Sequence, residues 1–424
     1  MKEYLYIKML HQEKEKINIH IIDILKIYKN KKKHMNKLDE QLKELYKHIL
    51  SKQRMKTDIT NVGIKSIFGY QIKLNMEDGL PLTTLRNIDT KTIIHELLWF
   101  LGSYDEKYKK FGNTNIKYLV DNDIIAWSDF AYDKYKEEKL KIYLNNDLKN
   151  SKEVKKFKFL SHKDFLKRIK KDDDFALKYG ELGSIHSKQW KDWGGTYELV
   201  EKTNNYKEMK SDTLLVDKLG WEKIYLKGIN QIENSIKFLI NEPDSSRNVI
   251  NSWNVSELED LIISNNHVSI QFYSEILEME ERINYCEKNS NIEDIKLYMK
   301  QNDIEDWSDI RRNPIKQIKI LERFNVPERK LSMKFNMNSS NCDILPYNIA
   351  SYSLLLHMIS QIVDMVPYEV IYDGGDIHIY SNTIKRFEEQ LQNESNKLPI
   401  LKLNKLVEDI YDFRFEDFEI IKNN

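Results

Sequence analysis

Cysteine is scarce in this chain. Among 424 residues there are two, Cys286 and Cys342, too few for a disulfide framework or a four-cysteine zinc site, and their scarcity points to a reducing compartment, by default the cytoplasm. An excess of either charge is absent as well. Lys and Arg number 67, Asp and Glu 67, so the overall basicity that favours non-specific nucleic-acid or membrane-surface binding is missing. No apolar run approaches the roughly 18 residues of a membrane-crossing helix, and the most hydrophobic stretch, 354–366, is interrupted by His357, Ser360, Gln361 and Asp364. The opening MKEYLYIKMLHQEKEK carries charges where a secretory signal needs an apolar segment. Repeats of fixed period and low-complexity tracts are missing too. Neither a nucleic-acid nor a membrane partner is expected.

What is present is enough apolar material to fold: 41% hydrophobic and 11% aromatic residues outweigh the disordering tendency of 32% charged ones. Residues 1–34 end in Lys31-Lys32-Lys33 and read as a charged, solvated extension. From residue 35 the pattern changes: Leu38, Leu42, Leu45 and Ile49 recur at helical spacing and demand a packing surface. The domain so begun, 35–424, is interrupted at about 132–179 and 276–329 by Lys-, Asp-, Glu- and Asn-rich stretches that read as charged, mainly helical insertions with little commitment to a core. Between and after them, HVSIQFY (267–273) and LSMKFNMN (331–338) alternate with period two and predict strands. Residues 350–365 predict a buried helix.

Chemistry is carried by scattered polar groups in apolar surroundings. Glu96 sits in IIHELLWFLG, where a carboxylate must be paired, protonated or facing a cavity. By itself it reads first as a satisfied structural acid, with proton transfer as the alternative. In YDGGDIHIYSN, His378 and Tyr380 share one strand face. No third metal ligand accompanies them, so they suit a polar ligand such as a sugar hydroxyl, and no metal is expected.

Taken in order, Ser66-Ile67-Phe68-Gly69 with Gln71, IIHELLWFLG, Asn113-Thr114-Asn115-Ile116, Lys188-Gln189-Trp190, PDSSRNVINSWNVSELE, His267 with QFY, LPYNIASYSLLLHM, GGDIHIYSN and FRFEDFEI resemble the thymidylate synthase family. The resemblance implies a three-layer α/β fold with a mixed sheet, packed back to back against its twin in a homodimer. It implies C5 alkylation of a pyrimidine nucleotide, with methylenetetrahydrofolate as the one-carbon donor. In that chemistry a cysteine thiolate adds to C6 and makes C5 nucleophilic. At the matching position, directly before His267, this chain has Asn266, whose amide cannot act as such a nucleophile. Four arginines that clamp the phosphate in the family match Ile59, Ser246, Arg247 and Asn338 here, so one remains. The matching phosphate serine is Ser339, and Lys56 or Lys65 is a partial substitute for the lost charge. A tyrosine of the site appears as His186, and a folate-side lysine as Leu85 beside a matching Arg86. The family's tail, which closes over folate, has no match after IIKNN.

Other matches stand. By resemblance Glu96 manages protons at the base, Asn348 reads O4 and N3 of uracil, Gln271 belongs to the substrate side, His378 and Tyr380 hold the 3′-hydroxyl, and Trp127 lies on the folate side. The expectation is a uracil-type nucleotide or nucleoside pocket without the standard methylation. Two alternatives remain open: an active C5 methyl- or hydroxymethyltransferase working by an altered route, and a new reaction on a related base using His186, Asn266 and His267.

Overall fold

The computed structural model describes residues 36–57, 62–145, 158–201, 214–216, 221–261 and 265–422. The 1–34 extension, Ile59 and the middle of the first insertion lie outside them. Alternation of apolar and polar residues produces a five-stranded mixed sheet from β1 (Ile64–Asn75), β5 (Val249–Asn251), β6 (His267–Ile276), β7 (Arg329–Asn341) and β8 (Val366–Tyr380), in the order β1-β8-β7-β6-β5. Only β7 and β8 run parallel, and the connection between them is the buried helix Leu345–Ile362, as a parallel pair requires. This is the α/β class expected of the sequence. Three further strands, β2 (Thr196–Glu201), β3 (Leu214–Val216) and β4 (Trp221–Leu226), form a separate antiparallel sheet that sequence reasoning did not anticipate. The last two, β9 (Ile400–Leu403) and β10 (Phe418–Ile421), make a hairpin-like pair.

One face of the large sheet is buried. Ile72, Ile270, Phe272, Phe335 and Tyr372 point from it into a core shared with the helices Lys37–Leu50, Thr90–Leu101 and Leu345–Ile362. The Thr90–Leu101 helix is apolar on nearly every side because it is enclosed. Asp89 caps its start by accepting from the Lys91 amide, and Gly102 ends it in the left-handed region at φ 69°. A buried carboxylate, Asp39, accepts hydrogen bonds from the hydroxyls of Thr83 (2.6 Å) and Thr84 (2.5 Å). That network fixes the segment leading to Arg86.

The opposite face of the sheet is open and largely polar. It carries the Lys334–Asp373 and Lys73–Glu369 ion pairs at 2.8 and 3.0 Å, the Asn336–Ser269 hydrogen bond, and the exposed Gln271, Tyr273 and Val249. Of the alternating apolar residues of β5 and β6, Ile250, Ile270 and Phe272 face inward against the chain's own helices.

The two charged stretches differ from each other. In the first, the helices His162–Lys171 and Asp173–Tyr179 drive Phe165, Ile169, Phe175 and Tyr179 into the main core, so this part is more than a surface elaboration. The second places four helices, Met279–Asn289, Ile292–Gln301, Trp307–Arg312 and Pro314–Arg323, between β6 and β7. They enclose a small core of their own around Ile283, Cys286, Ile310, Ile320 and Leu321. Their low hydrophobic content suffices because four short helices need to share only one narrow centre.

Candidate functional site

Where the Thr90–Leu101 helix, the N-terminal end of β6 and the start of the Leu345–Ile362 helix converge, they leave a cavity of about 800 Å³. Glu96, Trp127, His186, Asn266, His267 and Asn348 all line it, as does Arg86. The sequence-predicted groups of the base and folate sides therefore meet in one place.

Glu96 projects from its apolar helix and accepts a 2.6 Å hydrogen bond from Nε1 of Trp127. Burial raises its carboxyl from 4.5 to about 7, against the stabilising pull of the indole N–H. Near neutral pH this group both holds and releases a proton, which is what a general acid–base requires. Trp127 reaches it from a left-handed backbone, φ 69°, a conformation rare for a large side chain and held here by the aromatic packing of Phe100 and Trp99 at 5.8 and 5.6 Å.

Against this aromatic cluster two imidazoles stack. His186 and His267 lie 4.2 Å apart at 30°, and Nδ1 of His267 is 2.7 Å from the hydroxyl of Tyr352. Burial lowers His267 to about 4, and burial with the neighbouring ring lowers His186 well below its ordinary value, so both rings are neutral at pH 7. Nε2 of His186 has no hydrogen-bond partner among the described residues. Asn266 precedes His267, and its carbonyl accepts from the Asn338 amide at 3.1 Å. That backbone contact ties Asn266 to Asn338, two of the positions singled out in the sequence. Asn348 also lines the cavity, with its amide 3.6 Å from the sulfur of Met337.

No thiol reaches this space. Cys342 is fully buried beside it, with its thiol pushed up by burial, and Cys286 lies in the core of the second insertion; neither lines the cavity.

Arg247, Ser339, His378, Tyr380 and Gln271 are not among the cavity-lining residues. Arg247 and Gln271 are exposed. Ser339 is half-buried on β7, in register with Asp376. His378 and Tyr380 pack edge to face at 5.2 Å at the end of β8. The His378 carbonyl holds the Cys342 amide, next to Asp343 on the cavity rim. The lysines offered as substitutes for the missing arginines are engaged elsewhere, Lys56 with Asp376 at 3.3 Å and Lys65 with the Leu50 carbonyl at 2.8 Å.

Sequence reasoning missed Tyr352 and Arg386. Tyr352 was within reach, four residues after Asn348 and so on the same helix face. Arg386 lines the cavity and pairs with Asp343 at 3.1 Å, yet nothing in its surroundings in the sequence marks it. Among the described residues no group of three or more His, Cys, Asp or Glu could hold a metal ion, and no helix is long and apolar enough to cross a membrane.

A family model described as thymidylate synthase matches residues 40–305 and 304–424. A thymidylate synthase of the Aster yellows witches'-broom phytoplasma is 32% identical over 385 residues, covering 90% of this chain and 94% of that protein. One from Mycoplasma mobile is 31% identical over 383 residues, covering 90% and 95%, and one from Malacoplasma penetrans is 28% identical over 382 residues, covering 90% and 94%.

The raised Glu96 pKa has a stability consequence of definite sign. Between pH 4.5 and about 7 the folded chain holds a proton that the unfolded chain has lost, so this group's contribution falls as pH rises through that window. Glu96→Gln should therefore gain on the wild type by up to about 3 kcal/mol across the window, read from urea unfolding at a series of pH values. A difference that does not vary with pH counts against a buried, proton-holding Glu96.

Proposed function

This chain belongs to the thymidylate synthase family, and on that premise we propose that its cavity binds a uracil-type nucleotide or nucleoside without carrying out the standard methylation of dUMP. The observation that supports this most strongly is the absence of a thiol from the cavity: Asn266 occupies the wall before His267, and both cysteines are buried elsewhere. Uracil C5 becomes reactive when a thiolate adds at C6. An amide offers no comparable electron pair. Base recognition is a separate matter. Asn348 can accept from N3–H and donate to O4, which suits uracil and mismatches cytosine.

Loss of the phosphate clamp is part of the same reading. Ser246, Asn338 and Ile59 offer no cation, Arg247 and Ser339 supply one forked donor and one hydroxyl, and Lys56 and Lys65 are already engaged. His378 and Tyr380 are assigned to the sugar 3′-hydroxyl. Trp127 and Arg86, which line the same cavity as Glu96, are the residues that would hold a reduced folate; methylenetetrahydrofolate, when bound, supplies a one-carbon unit. Arg86 lies 5.5 Å from the Tyr347 ring, so an aromatic and cationic wall suited to a flat, anionic molecule is present.

A second reading, an altered-route C5 methyl- or hydroxymethyltransferase, is favoured by one observation. Glu96 titrates near 7, a tuning that a passive binding site does not need.

Assembly follows from the sheet. One face is covered by the chain's own helices and the other is open, and we assign that open face to a second copy in a homodimer located in the cytoplasm. Light scattering should give about twice 50.8 kDa; a clean monomer at micromolar concentration removes the assignment.

With dUMP and methylenetetrahydrofolate, purified protein should form no dTMP or dihydrofolate at rates near those of ordinary enzymes. Asn266→Cys should restore little, because the substrate remains poorly positioned even with a thiolate present. Turnover by the unmodified chain would instead establish the second reading. Calorimetry with dUMP, deoxyuridine and dCMP checks the pocket itself. Deoxyuridine should bind within about a hundredfold of dUMP, or ~2.7 kcal/mol, and dCMP should bind more weakly than dUMP; a larger gap between the first two means that another cation has replaced the lost arginines.

A further inference from the structure

The amine of Lys191 is packed against the fold with no anion to meet it. Lys191 ends the helix His186–Lys191, and the residue is half-buried, so the fold presses on its side chain without closing it off. Nζ lies 4.2 Å from the centre of the Tyr411 ring, which is pinned in turn by a 2.8 Å hydrogen bond from Nδ2 of Asn230 to its hydroxyl. On another side it crowds Gly102, where an added Cβ would come within 2.7 Å of Nζ. Among the described residues Nζ makes no hydrogen bond and no ion pair. The ring face attracts a cation, but it accepts none of the three ammonium N–H groups in a conventional bond. Burial pushes the amine down from 10.5 to about 8; Lys227 and Lys109 add to the fall, while Glu233 and Asp409 oppose it.

An ordinary lysine is a poor nucleophile near neutral pH because its lone pair carries a proton, and a desolvated one is activated. We propose that Lys191 is a site of covalent acylation, its amine attacking an activated acyl group such as that of acetyl phosphate. The nitrogen lone pair forms a bond to the acyl carbon. The bond from that carbon to the bridging phosphate oxygen breaks, phosphate leaves with the electron pair, and the nitrogen's surplus proton passes to solvent. The product is a neutral amide, free of the charge that burial penalises. Its place in the fold links it to the cavity: the helix that Lys191 ends begins at the cavity-lining His186, and Gly102 ends the helix that carries Glu96. An acyl group on Nζ therefore lies where those two helices and the C-terminal segment around Tyr411 meet. The inference does not depend on which ligand the cavity takes.

The test incubates the full chain with acetyl phosphate at a series of pH values and reads the acetylation rate of each lysine by peptide mass spectrometry. At a pH of about 7.5 an amine that titrates near 8 is neutral about two hundred times as often as one at 10.5. Lower basicity and crowding offset part of that gain. Lys191 should therefore be acetylated at least about tenfold faster than the exposed Lys163 and Lys405. Its rate should level off above about pH 8 while theirs continue to rise. In guanidinium chloride, which unfolds the chain, the advantage should disappear. Equal rates for the three lysines in the folded protein overturn the inference. So does an advantage that survives unfolding, or a Lys191 rate that climbs without a break past about pH 9. None of these readings uses a nucleotide, so failure here leaves the pocket reading untouched, and failure of the pocket reading leaves this site standing.

Discussion

A carboxyl group in the middle of an enclosed apolar helix can be kept only if something bonds to it, and the rest of the site is arranged around that requirement. Among the described residues Glu96 has one donor, the indole of Trp127. To deliver it, the chain after Asp123 turns through a left-handed residue at Trp127 itself, and the indole wedges among Phe100, Trp99 and Phe130. The cost of burying the acid is thus distributed over an aromatic cluster that also forms one wall of the cavity. Such a cluster excludes water, and the exclusion keeps the acid's proton affinity high. Structure and protonation state are two aspects of one packing arrangement.

Much of the frame was legible in the sequence because the signals were local. Period-two alternation at 267–273 and 331–338 marked two neighbouring strands of the sheet, now His267–Ile276 and Arg329–Asn341, and the apolar run at 350–365 marked most of the Leu345–Ile362 helix. The face toward which an alternating strand turns its apolar residues was not legible. Ile270 and Phe272 could serve a partner or the chain's own helices equally well, and only the position of the helices decides it. The same limit applies to the first charged stretch. Phe165, Ile169 and Phe175 are diluted by lysines and aspartates, so composition hid a helix pair that is part of the main core. The strands at 196–226 lay in a region with no clear alternation. Within the site, Glu96, His186, Asn266 and Asn348 were identified by resemblance and converge on the cavity. Arg386 comes from a distant helix and joins them only through Asp343, a tertiary relation that no local pattern encodes.

On the proposed reading, the positions at which this chain departs from the family are physically linked. A site with neither the thiolate nor three of the arginines lacks charge of both signs, and so lies closer to neutral than one that lacks only one of them. The backbone contact between Asn338 and Asn266 joins the two altered positions directly. Neutral imidazoles fit that environment better than ions would, since desolvation penalises charge and leaves uncharged polar groups to be completed by hydrogen bonds. On that reading the site relies on matching donors with acceptors more than on electrostatic clamping.

The second insertion begins and ends at a single rung of the sheet: Ile276, the last residue of β6, is paired with Arg329, the first of β7. Its two ends are therefore held one strand spacing apart, roughly 5 Å. Holding the ends of so long a connection together would cost an unfolded loop considerable entropy, although that cost grows only logarithmically with length. Because the four helices enclose their own core, the closure is met by internal folding and not drawn from the sheet. The β6–β7 turn thereby resembles a socket with adjacent ends, a point at which a foreign module of like span could be exchanged for the natural one at the cost of the Lys330–Glu281 bridge that joins the first helix to β7.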